Sequence, residues 1–172
     1  MFDITSDKVY VKTFGGFDLY YQGELIYFSS SKAKELLAIL VDWSGKEVTL
    51  SHLAEILNDG ERDETAAKQA VHLAWYRLKQ TLKKYGIEKI VIKGRGTYAI
   101  NKEAVVCDSY DMVRQVKGAS NFFVGEYMPE YSWAEVTLSN LIRDYFDGGG
   151  VVGLYSTYVM ELREQNGRIL TE

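Results

Sequence analysis

The stretch from Glu64 to Ile100 constrains the fold most, because it joins a long amphipathic helix directly to a short β-hairpin. Apolar side chains recur in this helix at a spacing that gathers them on one buried face: Ala67, Val71, Ala74, Trp75, Leu78 and Leu82. The opposite face carries mostly polar and basic side chains: Gln69, His72, Leu73, Tyr76, Arg77, Gln80 and Lys83. β-forming residues lie on both sides of Gly94-Arg95-Gly96. The two glycines therefore predict the tight turn of a hairpin, with Arg95 at its tip.

Positive charge is concentrated in the same part of the chain. The net charge of the whole sequence is −4, yet residues 62–98 contain nine Lys/Arg and only three Asp/Glu. The flanking segments, 1–61 and 99–172, each carry a net charge of −5. A solvated lysine face would account for the charge but not for its segregation. Such a helix fits the DNA major groove, and a basic β-tip reaches the adjacent backbone or minor groove.

The residues before the long helix predict three short strands and two helices. Alternating and aromatic residues, separated by glycine turns, indicate antiparallel strands over 9–14, 17–21 and 24–28. Two helices follow: 32–43, with the N-cap candidates Ser29, Ser30 and Ser31, and 50–57, capped by Thr49 after an extended Val48. Two helices joined by a turn, the second one long and basic, and then a hairpin are typical of a helix-turn-helix with a wing.

The remaining residues predict a mostly helical segment. We expect a connector over 101–106, a short helix over 107–116 and an irregular stretch over 118–131. A strongly amphipathic helix is predicted over 133–146 and a further helix over 151–164, which would form an αα-hairpin around Gly148-Gly149-Gly150. The three tryptophans are expected in the core: Trp43, Trp75 and Trp133.

Residues 9–106 resemble the OmpR-type winged-helix effector domain in its SARP-type variant. The resemblance rests on three stretches: Phe14-Gly15-Gly16-Phe17, 31–38, and 71–82 followed by 96–100. Residues 107–172 resemble the beginning of the bacterial transcriptional activator domain, a TPR-like module, at Cys107-Asp108, 123–128 and 132–135. The implied fold class is α+β: a winged helix-turn-helix with an N-terminal antiparallel sheet, three helices and a C-terminal β-hairpin wing, followed by a small all-helical TPR-like segment.

The resemblance implies a sequence-specific double-stranded DNA-binding transcription regulator. Residues 1–8 would be a linker, 9–106 the DNA-binding domain and 107–172 a truncated activator domain. Many relatives are response regulators of two-component systems with a receiver domain upstream. Because no receiver fits before Val9, we expect either the effector part of such a regulator or a stand-alone regulator.

Family DNA contacts, carried over by position, fall on the third helix and the wing. The resemblance implies base or sugar contacts by five helix residues: Gln69, His72, Leu73, Tyr76 and Arg77. It implies a phosphate contact by Lys79, and it places Lys93, Arg95 and Thr97 in the wing. Gln80, on the same face of the helix, completes the predicted DNA-binding set. A guanidinium can bond guanine O6 and N7 in bidentate fashion, which makes Arg77 the best base-reading candidate; its alternative is a surface ion pair. Leu73 and Tyr76 either contact thymine methyl or sugar groups or cover a neighbouring loop.

Duplex DNA is therefore the expected partner, bound by a homodimer because relatives usually occupy direct repeats as dimers. The loop over 58–63 corresponds to a segment that contacts RNA polymerase in some relatives, so RNA polymerase is a further expected partner. The alternative is a protein-interaction module whose winged helix and TPR-like helices bind a protein. RNA is a weaker alternative, because no surface aromatic platform is evident.

Enzyme chemistry finds little support in the sequence. One cysteine and two distant histidines, Cys107, His52 and His72, cannot form a structural zinc site, and no phosphate-binding loop motif is present. We therefore expect no catalytic residue, metal or cofactor. No apolar run is long enough to span a membrane, no secretory signal is indicated, and the lone Cys107 fits a reducing compartment, so a cytoplasmic location is expected.

Overall fold

The structure, a computed structural model, describes residues 6–58 and 63–145. The chain divides into two compact units: Met1–Val11 with Asp18–Val106, and Lys12–Phe17 with Cys107–Glu172. The short segment Lys12–Phe17 therefore groups with the second unit, whereas we expected 9–106 to be one continuous domain. The helix predicted over 151–164 and its αα-hairpin lie outside the described residues, as does most of the loop predicted over 58–63.

The first three strands of the chain form a four-stranded sheet with a later strand, in the order β3-β2-β1-β7. Its strands are β1 (Val9–Lys12), β2 (Asp18–Tyr21), β3 (Glu24–Leu25) and β7 (Val105–Cys107). β2 and β3 pair antiparallel, with Tyr20 opposite Leu25. The three predicted strands are confirmed, although the third ends at Leu25 rather than at residue 28. The connector expected over 101–106 was wrong, because its last residues enter β7 beside β1 and bury Val105.

Three helices build the core of the first unit: α1 (Ser31–Asp42), α2 (Leu50–Asn58) and α3 (Glu64–Lys84). Ser30 is the N-cap of α1, since its Oγ accepts a hydrogen bond from the Ala33 backbone amide at 3.2 Å. Thr49 Oγ1 likewise accepts from the His52 amide at 3.2 Å, as expected for the start of α2. The predicted apolar run of α1 is buried: Leu36, Leu37, Ala38, Ile39, Leu40 and Val41.

Both ends of α3 are closed by local hydrogen bonds. At its N-terminus, Asp63 Oδ1 accepts from the Ala66 amide at 2.9 Å, which also sets a negative charge at the positive end of the helix dipole. At its C-terminus the amides of Gly86 and Ile87 donate to the carbonyls of Lys83 and Leu82, respectively, at 3.0 and 2.9 Å. Gly86 has φ +70°, so this is a glycine-centred Schellman ending. The helix begins at Glu64, as the sequence predicted.

The predicted hairpin is confirmed as part of a second sheet with the order β4-β6-β5. Its strands are β4 (Val48–Thr49), β5 (Val91–Lys93) and β6 (Thr97–Ile100). Tyr98 of β6 lies opposite both Val48 and Lys93. The hairpin turn closes where the Gly94 amide donates to the Thr97 carbonyl at 2.9 Å. Gly96 has φ +69°, which glycine adopts without strain.

A buried carboxylate organises the second unit. Asp108 opens α4 (Asp108–Val113) and accepts hydrogen bonds from the backbone amides of Thr13 at 2.9 and 3.0 Å, Phe14 at 3.0 Å and Ser109 at 2.8 Å. The Thr13 hydroxyl also donates to it. These bonds attach the Lys12–Phe17 segment to the start of α4. Phe14 packs edge to face on Phe123, with 5.0 Å between ring centroids.

Two helices of the second unit differ from the prediction. α4 is shorter than the expected 107–116, because Cys107 still belongs to β7. Burial raises the pKa of the Cys107 thiol to about 12. α5 (Glu135–Tyr145) begins two residues later than expected, since Ser132–Ala134 form a 3₁₀ turn. Its buried side chains include Leu138 and Leu141, whereas Val136 is exposed.

The three tryptophans are not core residues as predicted, since each is only partly buried. Trp75 lies at the edge of the apolar stripe of α3, Trp43 packs on His52 and Trp133 stacks on Tyr131. A bulky indole at the edge of an apolar stripe can cover neighbouring side chains while part of its own surface stays exposed to solvent. None of the helices in the described part of the chain has the length and apolar composition needed to cross a lipid bilayer.

Candidate nucleic-acid interface

The exposed face of α3 is the surface on which the predicted site residues gather. Six of the seven predicted helix positions are exposed: Gln69, His72, Leu73, Tyr76, Arg77 and Gln80. At 100° per residue, Gln69, Leu73, Tyr76 and Gln80 occupy the centre of this face, with Arg77 at one edge and His72 at the other. The buried stripe on the other side packs on α1 and α2. The helix therefore presents the predicted set to solvent as a continuous surface.

No acidic side chain lies on this face. Glu64, in the first turn, is the one acidic residue of α3, and Lys68 neutralises it at 2.8 Å. Lys68 thereby holds the pKa of the Glu64 carboxyl below its usual range. Arg77 forms no ion pair with any described residue, so the surface ion pair considered as its alternative is not formed there. Its guanidinium charge is available to a ligand.

Arg77 lies between two grooves. The groove on one side has a volume of about 580 Å³, and its lining is polar and basic: Ser29, Ser30, Gln80, Thr81 and Lys84 in addition to Arg77. The groove on the other side, of about 420 Å³, is lined by Leu57, Asn58, Gln69 and Leu73 among others. Leu73 remains 48% exposed there. The described residues thus leave Leu73 half open instead of covering it.

Tyr76 and Gln80 are tied to each other on the exposed face. Gln80 Nε2 donates a hydrogen bond to the Tyr76 hydroxyl at 2.7 Å, one helical turn away. Tyr76 is nonetheless 58% exposed. The bond holds the tyrosine side chain along the helix surface and leaves much of its ring open to solvent.

Lys79 differs from the other predicted contacts. Its Nζ lies 3.2 Å from Glu88 and 5.9 Å from the centroid of the Trp75 ring. The lysine is therefore only half exposed and already carries an anionic partner from the 3₁₀ turn Glu88–Ile90. A phosphate would have to compete with Glu88 for it, which the sequence did not reveal because the two residues are nine positions apart.

The three predicted wing residues lie on the hairpin as expected. Arg95 is exposed at the tip and has no ion pair with any described residue. Lys93 extends over the Tyr98 ring, with 5.0 Å from Nζ to the centroid. Thr97 is half-buried beside Gly94, where an added Cβ would lie 2.5 Å from Thr97 Oγ1. The strand pair thus holds one free cation at its tip.

Trp75 links the wing to α3, a role that sequence reasoning missed. Its ring contacts the Tyr98 ring edge to face, with centroids 4.9 Å apart. Because Tyr98 is the central residue of the wing sheet and is 1% exposed, this contact fixes the hairpin against the helix. The position of Trp75 at the edge of the apolar stripe was the available signal.

Ser29, Ser30, Thr81 and Lys84 were also missed as neighbours of Arg77. Thr81 and Lys84 lie four and seven residues after Arg77, which puts all three on one side of the helix. That spacing was visible in the sequence, whereas the approach of the two serines depends on how α1 packs. Among the described residues, no cluster of three or more His, Cys, Asp or Glu side chains is arranged to hold a metal ion.

Comparison with known proteins identifies a similar fold. A solved structure described as Mycobacterium tuberculosis EmbR in complex with a low-affinity phosphopeptide aligns with 81% of this chain, with a TM-score of 0.63 and 15% sequence identity. The present chain spans 43% of the length of that chain. No protein-family model matches the sequence, and the search of curated proteins found no match. The fold is thus a mixed α+β, winged-helix-like one.

Proposed function

We propose that this chain is a transcription regulator that binds double-stranded DNA in a sequence-specific manner. In this proposal α3 enters the major groove and the hairpin tip contacts the backbone or minor groove beside it. The chain is the effector part of a two-component response regulator and binds direct repeats as a homodimer. The acidic second unit then contacts proteins, with RNA polymerase as one partner.

The observation that carries the proposal is the exposed, acid-free face of α3 with an unpaired arginine. From Thr65 to Lys84 the helix has no carboxylate, and Arg77 forms no ion pair with a described residue. A protein surface that carries free positive charge with no nearby acid suits a polyanion, because binding releases the condensed counterions of the duplex. An α-helix also has the diameter that the major groove admits.

The wing supports the same proposal. Trp75 and Tyr98 hold the hairpin against α3, so that Arg95 is carried by an element fixed to the helix. A second cation on an element attached to α3 would let the protein contact the flanking backbone as well as base edges. The similarity to EmbR supports the winged-helix-like fold on which this arrangement depends.

A protein-interaction module is the second candidate. The observation that favours it is a set of exposed apolar side chains in the second unit: Val113, Val116, Phe122, Val124 and Val136. Exposed apolar side chains are typical of protein contacts where they form a continuous patch. In this alternative the second unit supplies the main binding surface, and the basic face of α3 contacts an acidic protein instead of DNA.

Selection of bound duplexes from a random pool separates the two candidates. The DNA proposal predicts enrichment of a defined motif by the wild-type chain. Arg77→Ala should lose preference at one base pair, because a bidentate arginine–guanine contact discriminates by about 1–3 kcal/mol. The matched control is Arg114→Ala, which removes an exposed arginine of the second unit from its ion pair with Asp111.

The control variant should enrich the wild-type motif. Failure of the wild-type chain to enrich any sequence, together with weak binding to all duplexes, would favour the protein-interaction module. Equal motif enrichment by the wild type and Arg77→Ala would show that Arg77 does not read a base.

A further inference from the structure

The centre of the exposed face of α3 is apolar, although its surroundings are polar and basic. Leu73 and Tyr76 are three residues apart, and their side chains are 48% and 58% exposed. Both lie between Arg77 and His72 on the helix surface. Single exposed apolar side chains are common on proteins, but two adjacent ones in the middle of a polar and basic face suit a ligand that has an apolar group of its own.

The hydroxyl of Tyr76 has one partner on the helix. It accepts the hydrogen bond from Gln80 Nε2 at 2.7 Å. The tyrosine therefore offers a ligand its exposed ring and the O–H donor that this bond leaves free. Leu73 offers only methyl groups, and its groove is bounded by Gln69 and Arg77 at the surface. The centre of the face is thus suited to an apolar contact flanked by hydrogen-bonding side chains.

Only one apolar group is displayed on base edges in the major groove, the 5-methyl group of thymine. We infer that Leu73 and Tyr76 read a thymine methyl group at the centre of the target site. Arg77 reads a neighbouring base pair. This inference rests on the proposed DNA-binding function and specifies the chemistry of that same surface: the preferred duplex contains a thymine whose methyl group, rather than its hydrogen-bonding edge, is recognised.

Replacement of thymine by deoxyuridine tests the inference, because it removes the methyl group and leaves base pairing intact. The experiment measures the affinity of the full chain for its selected duplex by fluorescence anisotropy, with each thymine replaced in turn. For the wild type, at least one replacement should weaken binding about fourfold, the effect expected for loss of one buried methyl group. Replacements elsewhere should leave affinity unchanged.

Protein variants then assign the effect. Leu73→Ala or Tyr76→Ala should bind the thymine and deoxyuridine duplexes equally at that position. Tyr76→Phe keeps the ring and should retain the discrimination. Leu25→Ala is the matched control, because Leu25 is a comparably exposed leucine on β3, 54% exposed. This variant should discriminate as the wild type does.

Each outcome bears on one of the two claims. If the chain selects a motif but every deoxyuridine duplex binds as tightly as its thymine parent, the methyl-reading inference is wrong and the proposed function stands. If the penalty persists in both Leu73→Ala and Tyr76→Ala, other residues read the methyl group and the assignment fails. If no duplex is selected at all, the proposed function and this inference are both overturned.

Discussion

At the scale of single residues, buried polar groups determine where this chain tolerates change. Asp108 is 5% exposed, and its carboxylate accepts three different backbone amides as well as the Thr13 hydroxyl. Tyr98 is also buried, but its hydroxyl has no hydrogen-bond partner among the described residues. The two side chains are therefore expected to respond to substitution in opposite ways.

Asp108→Asn should destabilise the chain by about 2 kcal/mol, because an amide NH₂ cannot accept the bonds that one carboxylate oxygen receives, and backbone amides are then buried without an acceptor. Urea unfolding followed by circular dichroism measures the loss. Asp111→Asn is the matched control: it removes only an exposed pair with Arg114 and should cost less than about 1 kcal/mol. Equal unfolding midpoints for Asp108→Asn and the wild type would show that these bonds contribute nothing.

Tyr98→Phe should leave the free energy of unfolding unchanged or raise it by up to about 1 kcal/mol. The variant removes a buried hydroxyl that has lost its water and found no partner in the described structure, while it keeps the ring contact with Trp75. Thermal and urea unfolding provide the measurement, with Tyr98→Leu as the comparison that removes the ring. A marked destabilisation of Tyr98→Phe would mean that the hydroxyl is in fact bonded.

At the scale of elements, local patterns predicted the helices and the hairpin well. α1 and α3 carry complete signals, with an apolar face, a capping side chain before the first turn and, for α3, a glycine after the last. β7 was missed because a three-residue strand has too few positions to show alternation. Its pairing with β1 also depends on residues more than ninety positions away. A local sequence pattern does not show which distant segment a strand will pair with.

The candidate site was predicted to a similar extent and for the same reason. Helical periodicity identified the exposed face of α3, including Tyr76 and Arg77, from the sequence alone. The engagement of Lys79 by Glu88 and the contact between Trp75 and Tyr98 were not predicted, because each depends on how the segment after α3 folds back on the helix. Whether the predicted residues contact DNA stays a prediction.

Trp75→Ala should loosen the wing and lower stability by about 2 kcal/mol, less than for a fully buried tryptophan, because the indole is only partly buried. Its effect on duplex binding should depend on Arg95. In the wild-type background Arg95→Ala should weaken binding clearly, whereas in the Trp75→Ala background the same change should have a smaller effect. Anisotropy titrations of the four proteins give the coupling. Strictly additive losses would show that Trp75 does not position the tip.

At the scale of the whole molecule, charge is divided in a way that net composition hides. The chain has a net charge of −4, while residues 62–98, which include α3 and the hairpin, carry nine Lys/Arg and only three Asp/Glu. Under the proposed function, this surface would offer a duplex Arg77, Arg95 and the lysines of the last turn of α3.

The salt dependence of duplex binding decides whether the basic surface of the first unit binds DNA. If it does, log K for the full chain should fall linearly with log salt concentration, with a slope of about −0.9 for each phosphate neutralised. Arg95→Ala should then reduce the magnitude of the slope by about one. Duplex affinity that does not change with salt, or no binding to the selected duplex at low salt, would contradict it.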